Sequence, residues 1–219
     1  MRKLLFCLTV FFILSVSLSS FADSQDNYLP LTEGMIWEFQ HTVLDLKTQK
    51  QVVAAKSTKE NLAPTVLQGV KAVPQVFSFY QPAGQLKQKT KSFIVQDASG
   101  FHVVARQSLN EAKPTFIPEK FYILKFPLTK GASWIQTAGG LTIKNTVESL
   151  DETVQVQAGT FKHCLLVKKL YFHQKDTAHP VQEGLFWFAP YVGNVKVVIK
   201  NSPENKEIIQ ELVSFQKEF

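Results

Sequence analysis

The sequence predicts an all-β protein: a large, strongly curved antiparallel sheet or open barrel of about ten to twelve strands with mostly meander connections. Three observations carry this. Apolar residues recur with a period of two, the alternating runs are rich in β-branched and aromatic side chains, and Pro and Gly interrupt the chain at short intervals. The chain has 219 residues, of which 45% are apolar and 19% charged, too apolar for a disordered polymer.

The elements follow in order. Met35, Trp37, Phe39, His41 and Val43 share one face of a first strand, with Glu38, Gln40 and Thr42 opposite. Further strands are expected near 51–58, 73–80, 86–96, 101–108, 162–173 and 183–188. Residues 141–148 and 195–200 alternate in the same way. Gln81-Pro82-Ala83-Gly84, Asp97-Ala98-Ser99-Gly100 and Tyr191-Val192-Gly193-Asn194 supply the turn chemistry between several of them. Residues 207–217 carry two patterns. Ile208, Ile209, Leu212 and Val213 have helical spacing, whereas Ile209, Val213 and Phe215 share a strand parity. We read a closing strand after a turn at 201–206.

Before the first strand, residues 1–22 read as an export signal: Arg2 and Lys3, an apolar run over 4–18, then Ser20-Phe21-Ala22 with small residues at −3 and −1. Its removal takes away two bases and no acid, so the formal net charge falls from +6 to +4. That charge is too mild to argue for nucleic acid. Residues 23–219 hold no second long apolar run, so no transmembrane segment is expected after the signal. They form one expected all-β domain, exported to the periplasm or secreted. Cys7 leaves with the signal, and Cys164 then has no internal disulfide partner.

An octapeptide occurs twice. Pro30-Leu31-Thr32-Glu33-Gly34-Met35-Ile36-Trp37 returns 97 residues later as Pro127-Leu128-Thr129-Lys130-Gly131-Ala132-Ser133-Trp134. Pro fixes the approach, Gly permits a tight turn, and Trp plugs the core where a strand begins. The repeat suggests two similar halves, about 28–126 and 127–219.

Four ordered motifs give the chain a family likeness. The first is Tyr28, Pro30, Leu31, Gly34, Trp37 and Phe39, and the second is the later octapeptide. Ala158-Gly159-Thr160-Phe161-Lys162-His163-Cys164-Leu165-Leu166-Val167 follows, then Trp187-Phe188-Ala189-Pro190-Tyr191-Val192-Gly193-Asn194-Val195-Lys196. In these motifs the sequence resembles a widespread group of bacterial exported proteins and lipoproteins of unknown function. The lipobox common in that group is missing, and Tyr191 stands where Gly is usual. The resemblance implies a curved all-β fold and an envelope location, and no activity.

No G-x-S-x-G, H-E-x-x-H, Walker or G-x-G-x-x-G motif is present. His163 and Cys164 are adjacent, but neighbouring side chains on a strand point to opposite faces, which argues against a thiol–imidazole pair. His173, Asp176 and His179 are weak candidates for a metal in a segment that also reads as a solvated turn. Lys87, Lys89 and Lys91 share a strand face roughly 7 Å apart, fitting either an anionic surface ligand or a charged edge that deters strand pairing. Trp187 and Phe188 take opposite faces of one strand, so one of them is free to line a cavity or meet a partner. We take Trp187, Phe188, Lys87, Lys89 and Lys91 as candidate binding residues and expect no cofactor. The resulting expectation is a non-enzymatic envelope protein that binds an apolar or amphipathic ligand such as a lipid. A structural or interaction module of an envelope assembly, partnered by another envelope protein, comes second. A hydrolase with an unrecognised site comes third.

Overall fold

The structure, a computed structural model, describes residues 27–217 except 175, 177 and 202. The proposed signal at 1–22 lies outside the described residues. Strand accounts for 72% of the described residues, which include no helix. Thirteen strands form one antiparallel sheet that curls into a nearly closed barrel with a single unsealed seam.

The strands are β1 (Met35–Asp45), β2 (Gln51–Asn61), β3 (Thr65–Leu67), β4 (Val70–Tyr80), β5 (Leu86–Asp97), β6 (Gly100–Ser108) and β7 (Thr115–Lys125). Then come β8 (Ser133–Ala138), β9 (Leu141–Val156), β10 (Gly159–His173), β11 (Gln182–Ala189), β12 (Gly193–Asn201) and β13 (Lys206–Lys217). Their lateral order is β7-β6-β5-β4-β2-β1-β13-β12-β11-β10-β9-β8, with β3 paired only to β4. The order is that of a meander. It turns back on itself where the last strand, β13, pairs with the first, from Met35↔Lys217 to Asp45↔Lys206. That pairing settles the two-way pattern at 207–217: a strand flanked by β1 and β12 gains ladders on both edges, which helical spacing alone cannot match.

Thirteen strands stand against the expected ten to twelve, and three of them, β3, β7 and β8, lie outside the segments that alternation marked; β7 is the longest of these. Pro118 and the polar Glu119-Lys120 interrupt its pattern. An edge strand tolerates such a proline, since part of its N–H row needs no partner, and β7 is an edge.

Both octapeptides open a strand in the same way. Gly34 (φ 75°) and Gly131 (φ 86°) occupy the left-handed region. Each glycine N–H donates to a neighbouring strand, Gly34 to the Asn61 carbonyl at 2.9 Å and Gly131 to that of Val147 at 2.8 Å. Trp37 and Trp134 are then both buried. Two core clusters result. One gathers Tyr28, Leu29, Phe101, Leu124, Trp134 and Phe188. The other gathers Met35, Trp37, Phe39, Cys164, Val195 and Leu212. Residues leading into β1 are pinned from the side: Asn61 Nδ2 donates to the carbonyls of Pro30 and Thr32 at 3.0 and 3.1 Å.

Candidate functional site

Register fixes which side chains share the barrel's inner face. Buried Phe39 sits on that face of β1. From there the pairings Trp37↔Lys59, Lys59↔Phe77 and Phe77↔Thr90 carry the face across β2, β4 and β5. On the other wall Trp134↔Asn145, Asn145↔Lys169 and Lys169↔Gly184 carry it across β8 to β11. The inner face is therefore aromatic and aliphatic but carries cations.

Lys59 and Lys169 are half-buried yet surrounded by protein on every side, which is how a side chain facing an internal space behaves. Each ammonium lies over a ring, Lys59 5.1 Å from the centre of Phe39 and Lys169 4.5 Å from that of Phe186. Arg106 lies likewise 5.1 Å from the centre of Phe121. Among the described residues no carboxylate comes within 4.0 Å of either lysine. Burial pushes Lys59 down to about 8, and burial together with the charge of Lys59 pushes Lys169 down to about 8. Both remain mostly protonated at neutral pH.

Two polar atoms beside Lys169 lack partners among the described residues. Trp134 Nε1 has no acceptor, and Asn145 Oδ1 has no donor. Gly184 completes the row. A Cβ there would stand 2.6 Å from Phe186 Cε2, so the missing side chain is what lets the Phe186 ring lie beneath Lys169.

One serine–histidine contact lies on the same face. His41 Nε2 and Ser57 Oγ share a hydrogen bond of 2.7 Å, and the imidazole packs edge-on against Phe79. Burial, then the charge of Lys59, push His41 down to about 4, so it is neutral and a poor base. With Ser57 only 1% exposed, the pair has the chemistry of a core contact rather than of a nucleophile.

The sequence-derived candidates are scattered. Lys87, Lys89 and Lys91 lie on the opposite, outer face of β5, where Lys89 and Lys91 flank a groove of about 240 Å3 with Gln107, Leu109 and Glu111. Phe188 is buried in the core, and Trp187 is half-buried on the other face, paired with Leu166 and Lys196. The lysine row and the two aromatics thus belong to different walls. His179 Nδ1 lies 3.8 Å from Asp176, while His173 meets Asp176 only through a backbone bridge. Among the described residues no three His, Cys, Asp or Glu side chains group to hold a metal. His163, at φ 54°, turns outward to Asp151 at 2.6 Å, whereas Cys164 is fully buried. Burial, then nearby Glu152, push the thiol up to about 11, which leaves it protonated.

Sequence reasoning passed over Lys59 and Lys169. In Val167-Lys168-Lys169-Leu170 both strand parities hold one lysine and one aliphatic, so alternation could not say which lysine points inward. The structure sends Lys168 outward to Glu183 at 3.2 Å and Lys169 inward without an acid.

A fold of this kind has relatives among solved structures. A protein named as exported, with a YmcC-like fold, from Bacteroides fragilis matches 86% of this chain and 98% of its own, at 16% identity and a TM-score of 0.50. A β-barrel-like protein of a domain of unknown function from Brucella abortus matches 84% of this chain and 98% of its own, at 11% identity and a TM-score of 0.50. A protein named as a lipoprotein from Parabacteroides distasonis matches 86% and 98% at 15% identity, with a TM-score of 0.46. At these identities the likeness is one of fold. No family model matches the sequence, and comparison with curated proteins finds no match. Among the described residues no helix is long and apolar enough to cross a membrane.

Proposed function

We propose that this protein is a non-enzymatic container of the cell envelope, periplasmic or secreted, that holds an amphipathic ligand such as a lipid inside its barrel. The observation that carries the reading is the inner face itself, where aromatic and aliphatic walls sit beside cations that no acid among the described residues neutralises. An apolar cavity with a few convergent polar groups is the usual design of a small-molecule site. Export rests on the signal-like start, Arg2-Lys3 followed by an apolar run, and on the exported relative of similar fold.

The test is to purify the processed protein natively and weigh it intact, with lipid extraction alongside. A bound amphiphile is expected, together with displacement of a fluorescent fatty acid from the barrel. Protein free of lipid that also ignores the fluorescent probe defeats the reading.

A further inference from the structure

We propose that Lys59 and Lys169, facing one another across the barrel from β2 and β10, form a headgroup site for a single carboxylate or phosphate borne on an acyl chain. The proposal rests on the container reading and names which end of the ligand is recognised, and by what.

The pattern of charge pairing points there. Three outward lysines of β10 and β12 have acids: Lys168 reaches Glu183 at 3.2 Å, Lys196 reaches Glu211 at 2.8 Å, and Lys200 reaches Glu207 at 3.9 Å, while outward lysines without one, such as Lys56 and Lys144, are exposed to water instead. The two inner lysines have none among the described residues, and each ammonium lies over an aromatic ring. An enclosed ammonium without a counter-ion is unfavourable, and two that sense one another are more so. An anion seated between them relieves both penalties at once. A neutral headgroup relieves neither.

Along the row of Lys169, Asn145 Oδ1 lacks a donor and Trp134 Nε1 lacks an acceptor among the described residues. Trp134 Nε1–H, fully enclosed and without a partner, lies two register positions away through Asn145. Carboxylate and phosphate oxygens accept several hydrogen bonds, enough for two ammoniums and an indole N–H. Phe39, Phe77 and Phe186 supply the apolar surroundings that an attached chain requires. Gly184 extends the argument to the backbone, since it keeps the Phe186 ring where the cation needs it. The same parity carries His41, Arg106 and Tyr171 and, at its exposed end, Asp45 paired with Lys206. Burial holds His41 and Arg106 below their usual ranges and pushes Tyr171 up to about 12, so these three supply no negative charge at neutral pH, while the Asp45 carboxylate accepts from the Lys47 and Thr48 N–H groups.

Calorimetric titration of delipidated protein with oleic acid, oleyl alcohol and inorganic phosphate tests the proposal. Wild type, K169M and the K59M/K169M double variant are compared. Oleic acid is expected to bind the wild type, to weaken about tenfold or more in K169M and to weaken further in the double variant. Oleyl alcohol is expected to bind all three proteins alike, and inorganic phosphate none at millimolar concentration. A rise in melting temperature in the variants is the independent readout, because each methionine removes an unpaired enclosed charge. If acid and alcohol bind equally to all three proteins, the headgroup site is overturned while the container stands. Should neither amphiphile bind any of them, the container falls and the headgroup site with it. Saturation by inorganic phosphate alone, abolished in K169M, would show an anion site without a chain and overturn the acyl part.

Discussion

The two octapeptides meet different fates, and the contrast explains the shape of the molecule. Both begin a strand with a left-handed glycine and a buried tryptophan. The first copy leads β1, whose eleven residues all register with β13 and seal the barrel. Its Trp37 Nε1 donates to the Val192 carbonyl at 2.7 Å. The second copy leads β8, a strand of six residues that pairs only with β9. Its far side meets β7 through one side chain: Gln136 Oε1 accepts from Tyr122 N at 2.9 Å, and its Nε2 donates to Tyr122 O at 3.1 Å. That amide imitates one unit of a backbone ladder where a ladder is missing. Trp134 Nε1, meanwhile, has no partner among the described residues. A local device can therefore start a strand, but closure depends on which strand happens to lie alongside.

Acid loads the sealed side first. His41, on β1, has a folded pKa of about 4 against an ordinary 6.5, so between those values the unfolded chain takes up a proton that the folded chain refuses. Stability is expected to fall as pH drops from about 6.5 to 4, by roughly 1–3 kcal/mol from this group. Urea unfolding of wild type and His41→Gln across that range reads it, and equal slopes in the two proteins would contradict it. The tryptophans give the next largest difference. Trp37→Phe strands the Val192 carbonyl, whereas Trp134→Phe removes a donor that had no acceptor. The first is expected to cost about 1–2 kcal/mol more than the second in urea unfolding, and the reverse order would show that the copies are not used as described. Gln136→Ala gives the smallest effect, about 1 kcal/mol or less, but a local one. Exchange of the Tyr122 amide should speed up while amides shared by β1 and β13 keep their protection, and uniform acceleration would mean that the seam and the junction open together.

Much of the fold was legible because alternation is written into single strands. Met35 to Val43 could only bury one face, and 195–200 likewise, whatever their neighbours. β7 was hidden because an edge strand is free to carry Pro118. The chemistry was less legible still. Lys87, Lys89 and Lys91 are conspicuous as a row and stand on the outer face, while Lys59 and Lys169 are single residues inside mixed patterns and stand on the inner one. A lysine's environment is set by neighbouring strands, Phe39 and Phe77 for Lys59 and Phe186 for Lys169, which its own stretch of chain does not contain.

What the residues alone determined is therefore local: strands with one apolar face, glycine-led entries before Trp37 and Trp134, and turns that fold neighbours together. Periodicity and backbone conformation are properties of a few consecutive residues, so they need no tertiary context. The tertiary structure decided the rest. It joined β13 to β1 rather than β8 to β7, and it turned Lys169 inward and Lys168 out. It also left two ammoniums without an acid among the described residues, because ladder closure and charge pairing are long-range contacts that no stretch of chain can specify by itself.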